Sequence, residues 1–451
     1  MIKKTILTLS IMILAGQCAV MAQSEDTEEM VTVKNDKGQD EEIEVPEAMT
    51  YETDSLLRLY YSKAYLKPDT SCHMKDVNPV FTTEEYKARL KRLPTIIEMP
   101  YNDVVQKFID IYSNKRRRSV SFMLGASNFY MPLFEQALET YDMPLELKYL
   151  PVIESGLNPM AVSRVGATGL WQFMITTAKR YGMKVNSLVD ERRDPVKASY
   201  GAARYLKDLY KIFGDWNLVI AAYNCGPDKV NKAIHRAGGV ADYWKIYPYL
   251  PRETRGYVPA FIAANYIMTY YCEHNICPML TDLPAKTDTV HVNRDVHFGQ
   301  IAGVLGIDIN QLRELNPQYR RDIVNGSSEP SAIRLPAKFL NAFIDNEDSI
   351  YNYKEGTLLT KRDEVEVDDE QPTYKRYTRS YSRNNSTKRR SNHSKRQRST
   401  MKKQRSQSVT IRQGDTLSEI AKRHGTTVKK LKKLNDINGS NIRAGKKIRV
   451  K

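Results

Sequence analysis

Cysteine is scarce in this chain, with five in 451 residues. Four of them, Cys72, Cys225, Cys272 and Cys277, lie beyond the N-terminal segment. Four cysteines allow three pairings that sequence does not separate, and the short step from Cys272 to Cys277 at a helix end is compatible with a local bridge. His274 alone beside them is no zinc ligand set. Long apolar runs are also missing: beyond residues 6–15 no segment is apolar for the ~20 residues needed to cross a bilayer. Tryptophan occurs three times, at Trp171, Trp216 and Trp244. Large flat rings stack on sugar faces, but a lone tryptophan is more often core; one of the three is expected to line a groove. Acid is absent from residues 371–407, which hold 13 basic residues.

What is present is unevenly charged. The formal charge is +16, yet residues 371–451 carry 25 Lys/Arg against three acids, so the first 370 residues are left with a net of −6. The basic character belongs to the tail. Lys3-Lys4, the apolar run 6–15 and the small residues before Gln23 form the pattern of a secretory signal peptide over 1–22. A lipoprotein cut before Cys18 is the alternative, disfavoured by Gln17. Residues 23–49 contain ten acids and two lysines, and read as an acidic disordered leader. Residues 50–119 form a helical support region, in which Thr82 or Thr83 can cap a helix and Val104, Val105, Phe108, Ile109 and Tyr112 recur at helical spacing.

The stretch 147–174 organises the rest. Leu147, Leu150 and Glu154 fall on one helical face, which puts a carboxylate on an otherwise apolar surface. Such an acid is either a helix-end glutamate bonded to the next loop or a general acid whose desolvation raises its pKa. Ser155-Gly156-Leu157-Asn158-Pro159 stops that helix, and Gly166-Ala167-Thr168-Gly169 precedes a return to helix at 170–174. A helix from Asp194-Pro195 to Phe213 carries Ala198, Ala202, Tyr205, Leu206, Leu209 and Ile212 as a core stripe. Ala221-Ala222-Tyr223-Asn224-Cys225-Gly226-Pro227 ends another helix with a phenol and an amide at its tip. Residues 250–258 start a long helix running to about Glu273.

The Glu154-Ser155 pair, the glycine-rich turn with Leu170-Trp171-Gln172-Phe173-Met174, the Ala222-Tyr223-Asn224 run and Glu253-Thr254-Arg255-Gly256-Tyr257-Val258, in that order, resemble the soluble-lytic-transglycosylase domain family. With its downstream modules the chain looks like the D group of membrane-bound lytic transglycosylases. The resemblance implies a mainly α fold: a lysozyme-like helical catalytic domain over 120–280. It implies that Glu154 is the single acid/base, and that Ser163, Gln172, Met174, Tyr223, Asn224 and Tyr257 bind the glycan. It implies cleavage of peptidoglycan with closure of a 1,6-anhydro ring, without metal or organic cofactor. Trp171 stands where methionine is common in the family.

A hydrolytic muramidase on the same fold is the rival, and it needs a second carboxylate. The candidates are Asp190, Glu191, Asp194, Asp215 and Glu253. Asp194 reads as an N-cap, and Glu253 sits in a helix first turn, where acids are favoured. A non-catalytic peptidoglycan-binding scaffold is the alternative from another class.

Residues 409–435 repeat 290–316: Val290/Val409, Ile301/Ile420, Ala302/Ala421, Gly306/Gly425, Leu312/Leu431, Leu315/Leu434 and Asn316/Asn435 coincide. Each copy closes on a strand, giving two small α+β (βααβ) units. The second, 408–451, resembles a LysM module, which implies glycan contacts from Gly414, Asp415, Thr416, Leu417, Asn435 and Ile437. The first, 288–338, is a degenerate LysM-like module, for which sugar binding and packing on the catalytic domain both stand open. Residues 360–407 read as a basic flexible linker. In an exported protein its partners are envelope anions rather than nucleic acid, or it is a solvated spacer. The localisation expected is the periplasm or cell envelope, with possible outer-membrane association and no transmembrane helix in the mature chain.

Overall fold

The computed structural model describes residues 29–34, 38–50, 66–360 apart from 282 and 285, 363–365, 367, and within the last module 408–411, 417–424, 426–435, 437 and 446–450. The expected signal peptide, most of the basic linker, and Gly414, Asp415 and Thr416 lie outside these residues. The chain divides into two units, 1–373 and 374–451.

The described fold is mainly helical, and in the first unit it opens where the sequence suggests disorder. Strands β1 (Met30–Lys34) and β2 (Asp40–Glu44) pair antiparallel, Met30 opposite Glu44. The acidic leader is therefore corrected to a hairpin over its described part. Alternation explains it: Val33 and Ile43 point into the main core with Val45, as a half-buried strand requires. Its acids have partners, for Glu29 meets Arg116 at 2.8 Å, Glu41 meets Arg255, and Glu44 lies 3.9 Å from Arg164. A one-turn helix α1 (Glu47–Thr50) follows.

Helix α2 (Thr83–Lys91) starts on a capping box between Thr82 and Glu85, and α3 (Asp103–Asp110) starts where Asn102 accepts from the Val105 amide at 2.9 Å. One long helix follows, α4 (Arg117–Thr140), which carries Pro132 inside it. Then come α5 (Leu150–Ser155), α6 (Ile175–Arg180), α7 (Pro195–Phe213), α8 (Trp216–Cys225), α9 (Pro227–Arg236), α10 (Tyr243–Ile246) and α11 (Arg252–Thr269). Helix α11 ends at Thr269, short of the expected Glu273, and its residues from Tyr257 to Met268 are all buried. It is the central rod, packed by α3, α5, α8 and β2. On α7 the stripe is buried at Ala198, Ala202, Leu206 and Leu209, but Ile212, next to the last residue of the helix, is exposed.

Strand β3 (Leu66–Lys67) pairs with β4 (Leu280–Thr281), close to the disulfide between Cys72 and Cys277. The local bridge compatible with sequence spacing is thus not formed, and Cys272 and Cys225 are free. Among the described residues no helix is long and apolar enough to cross a membrane.

The next module is built on two antiparallel pairs, β5 (Thr287–Val292) with β8 (Ser331–Pro336) and β6 (Asp295–His297) with β7 (Ile323–Asn325). They pack on α12 (Phe298–Leu305), α13 (Ile309–Leu315), α14 (Leu340–Asp345) and α15 (Glu347–Asn352). Phe343, Ile350 and Tyr351 belong to its core, so the module extends past the expected boundary at 338. It docks on the helical domain through a bridge from Val189 to Tyr319. Residues 363–365, expected to begin a flexible linker, run along that seam: Asn186 and Asn325 both donate to Glu364 at 2.6 Å, and the Val365 amide donates to Ser187 at 2.8 Å.

In the second unit, strands β9 (Ser408–Thr410) and β10 (Lys447–Arg449) pair antiparallel around α16 (Leu417–Arg423) and α17 (Val428–Leu434). Ile411, Leu417, Ile420, Leu431 and Ile448 form its core.

Candidate active site

Glu154 closes a short helix of particular build. Residues Leu145–Tyr149 form a 3-10 turn that continues into α5, so the single helix expected there is two pieces. Gly156 and Leu157 then both take left-handed φ, 58° and 61°, and their amides return to the carbonyls of Val152 and Pro151 at 3.2 Å. This stop leaves Glu154 at the helix end, facing a groove of about 350 Å³. Ser155 points the other way: it is fully buried, and its hydroxyl donates to the Leu170 carbonyl at 2.9 Å. The acid faces the groove while its neighbour ties the helix to the glycine-rich wall.

That wall is a pair of β-bridges, Val162 with Thr168 and Thr168 with Phe173, not the expected helix over 170–174, which starts only at Ile175. Its tightness follows from Gly169 at φ 88°, where a Cβ would lie 1.8 Å from the Arg192 carbonyl oxygen. Gln172 adopts φ 47° and donates to the carbonyl of Gly169 at 2.8 Å, which offsets an αL cost of order 1 kcal/mol. Ser163 accepts from the Ala167 amide at 3.0 Å. Ser163, Gln172 and Met174 all line the groove with Glu154, as do Tyr223, Asn224 and Tyr257.

Two phenols and an amide complete the floor. Tyr257 donates to Glu154, Tyr223 donates to the Trp171 carbonyl at 2.8 Å, and Asn224 accepts from Thr254 at 2.7 Å while donating to Glu253 at 3.1 Å. Burial pushes the Glu154 carboxyl up to about 8; the Tyr257 hydrogen bond opposes that, and the charges of Glu253 and Glu47 add to it. Burial and the neighbouring Glu154 raise Tyr257 well above the ordinary phenol range.

Of the other acids, four are held structurally. Asp190 is buried against Arg192 at 2.9 Å and Arg320 at 2.5 Å; Glu191 pairs with Lys197; Asp194 caps α7; Asp215 caps α8. Glu253 alone of the five lines the groove. Pro46 and Glu47, which sequence reasoning did not place there, also line it. The strand alternation at 30–33, which signals that this segment folds back on the core, could have indicated them. No tryptophan lines the groove: Trp171 is buried and donates to Ser199 at 2.9 Å, Trp216 stacks on Tyr210, and Trp244 stacks on Tyr247.

A larger depression of about 540 Å³ lies between Lys87 and Tyr101, but it holds no buried acid of the kind Glu154 brings to the smaller groove. Among the described residues no group of three or more His, Cys, Asp or Glu comes together as a metal site. In the last module Leu417 is core, and Asn435 gives both amide hydrogens to the carbonyls of Leu431 and Arg449, at 2.9 and 2.8 Å. Asn316 does the same in the first copy, toward Leu312 and Arg334, both at 2.9 Å. The repeated asparagine therefore pins the closing strand, and Ile437 packs on the core beside it.

Residues 131–245 match the transglycosylase SLT domain. The chain carries an SLT domain. Residues 286–352 match the LysM-like domain of lytic transglycosylase MltD, and 409–451 match the LysM domain. The chain is 29% identical over 356 residues to the membrane-bound lytic murein transglycosylase D of Escherichia coli strain K12, covering 78% of this chain and 70% of that one. It is 33% identical over 124 residues to the soluble lytic murein transglycosylase of the same strain, 26% of this chain and 19% of the other. Among solved structures it is similar to the 70 kDa soluble lytic transglycosylase of Escherichia coli, with 28% identity, a TM-score of 0.28, and coverage of 33% of this chain and 25% of that one. The SLT match takes in Glu154 and the groove residues from Ser163 to Asn224, and ends before Tyr257.

Proposed function

We propose that the chain is a peptidoglycan lytic transglycosylase that cleaves between N-acetylmuramic acid and N-acetylglucosamine, with Glu154 as its only acid/base. The observation that carries this reading is a carboxyl raised to about 8 by burial, hydrogen-bonded by Tyr257 and facing a groove. At neutral pH such a group holds a proton for the departing glycosidic oxygen. As the bond from C1 to that oxygen breaks, Glu154 gives up its proton. The resulting carboxylate takes the proton from the muramic C6 hydroxyl, whose oxygen closes on C1. One C–O bond breaks, one forms, the proton returns to Glu154, and no water is consumed. Ser163, Gln172, Met174, Tyr223 and Asn224 would seat the sugars, and Tyr257 would orient the acid.

Hydrolysis is the second reading, because Glu253 shares the groove. Its bond from Asn224 and its place in the first turn of α11 give it a structural task there. The LysM-type modules support glycan attachment, and the similarity to a membrane-bound relative supports work at the cell envelope. The basic stretch 371–407 would add electrostatic retention there.

Incubating the full chain with peptidoglycan sacculi and weighing the soluble products by mass spectrometry separates the readings. Anhydro-muramic ends are expected, and Glu154→Gln should reduce their release at least about a hundredfold. Reducing ends lost in Glu253→Gln would establish the hydrolase instead, and no release from the wild type would leave a binding protein.

A further inference from the structure

The buried Asp190 joins two parts of the first unit. Its backbone amide donates to the Gln318 carbonyl at 2.9 Å, and the Arg320 amide donates to the Leu188 carbonyl at 2.8 Å. Inside this seam the Asp190 carboxylate accepts from Arg320 of the LysM-like module at 2.5 Å and from both Nε and Nη2 of Arg192 at 2.9 Å. Arg192 is almost entirely buried as well. Its remaining nitrogen, Nη1, donates to the carbonyls of Gly166 at 3.1 Å and Phe173 at 3.2 Å. Gly166 closes the turn that holds Ser163, since its amide donates to the Ser163 carbonyl at 2.9 Å, and Phe173 bridges to Thr168. Ser163, Ala167, Gln172 and Phe173 line the groove.

An unbroken chain of charge-assisted hydrogen bonds thus runs from the module to the groove wall. Such bonds are short, directional and stronger than neutral ones. Bonds from a guanidinium oriented by two carboxylate contacts fix the two carbonyls in place, whereas Arg192 without its anchored partner could turn away. Gly169 adds a second tie, because its backbone lies directly against the Arg192 carbonyl.

We propose that Arg320 is a positioning residue for the groove: the LysM-like module, through Arg320, Asp190 and Arg192, holds the glycine-rich wall in the shape that seats the glycan. The module is then a structural component of the active site, whether or not it binds sugar itself. The proposal rests on the reading of the Glu154 groove as the glycan-cleaving site, but its physical core does not depend on that activity.

The test is hydrogen-deuterium exchange on the full chain, comparing wild type, Arg320→Met and Arg320→Lys. Arg320→Met should accelerate exchange across 163–173 about tenfold while α11 stays protected, and Arg320→Lys, which keeps the charge at Asp190, should restore most of the protection. Unchanged exchange in 163–173, or equal acceleration in the wall and in α11, overturns the proposal, the latter because it reports a loss of overall stability. In parallel, turnover of a glycan too short to reach from the groove to the module is measured. Arg320→Met should lower its kcat about fivefold, an effect that a module acting only as a sugar anchor would not produce. A wild type that cleaves no glycan would refute the proposed function and leave the exchange result standing.

Discussion

At the scale of single residues the proposed chemistry turns on how the fold treats Glu154. Its folded pKa, raised to about 8, lies above the value of 4.5 for an unhindered glutamate. Between those values the native state binds more protons than the unfolded state, so stability falls as pH rises. Glutamine does not titrate. The melting temperature of Glu154→Gln should therefore match the wild type below about pH 4.5 and exceed it by a growing margin up to about pH 8, where the difference levels off; a margin independent of pH would contradict the raised pKa. Tyr257 acts in the opposite sense to burial, since its hydrogen bond favours the ionised acid. Removing it in Tyr257→Phe should move the alkaline limb of the activity profile to higher pH and reduce kcat about tenfold, readable from rates taken between pH 6 and 10.

At the scale of elements, what the sequence disclosed followed local physics. Capping at Thr82 and Asp194, the apolar stripe of α7 and the repeat of the two small modules were legible, because each depends on neighbours in the chain. The stretch 170–174 of the groove wall reads as helix, because Leu170, Trp171 and Phe173 look like a helical stripe, but the bridge from Phe173 to Thr168 and the left-handed Gln172 decide its form. The N-terminal hairpin was hidden by its charge, since ten acids in 23–49 suggest solvation until Arg116, Arg164 and Arg255 arrive from elsewhere. Its seat on α11 is close enough to test. A Cβ on Gly256 would lie 2.5 Å from the Glu44 carbonyl oxygen. Gly256→Ala should lift the hairpin at a cost of about 1–3 kcal/mol, speed proteolysis within 29–50, and loosen Pro46 and Glu47 at the groove edge.

At the scale of the molecule, one covalent tie spans nearly all of the helical domain. Cys72 and Cys277 are 205 residues apart in sequence, and closing a loop of that size restricts the unfolded chain by about 5 kcal/mol in the entropic picture. A domain of ordinary stability has about 5–15 kcal/mol in total. Cys72→Ser, or reduction of the wild type, should lower the melting temperature by many degrees with the groove geometry otherwise unchanged, as followed by calorimetry. The exposed, free Cys272 lies five positions from Cys277, so in the unfolded chain it offers Cys72 a second thiol at nearly the same loop length. Cys272→Ser should accordingly raise the fraction of correctly oxidised protein on refolding, as counted by peptide mapping.

The tie also sets an order of events. Its first cysteine precedes Glu154 and its second follows the whole of α11, so the cross-link can close only after the entire groove-bearing segment has been made. In a reducing compartment the chain would carry its acid without its clasp. Oxidation thus dates the finished domain to a time after the synthesis of α11, and the groove acquires its full stability only once the bond has closed.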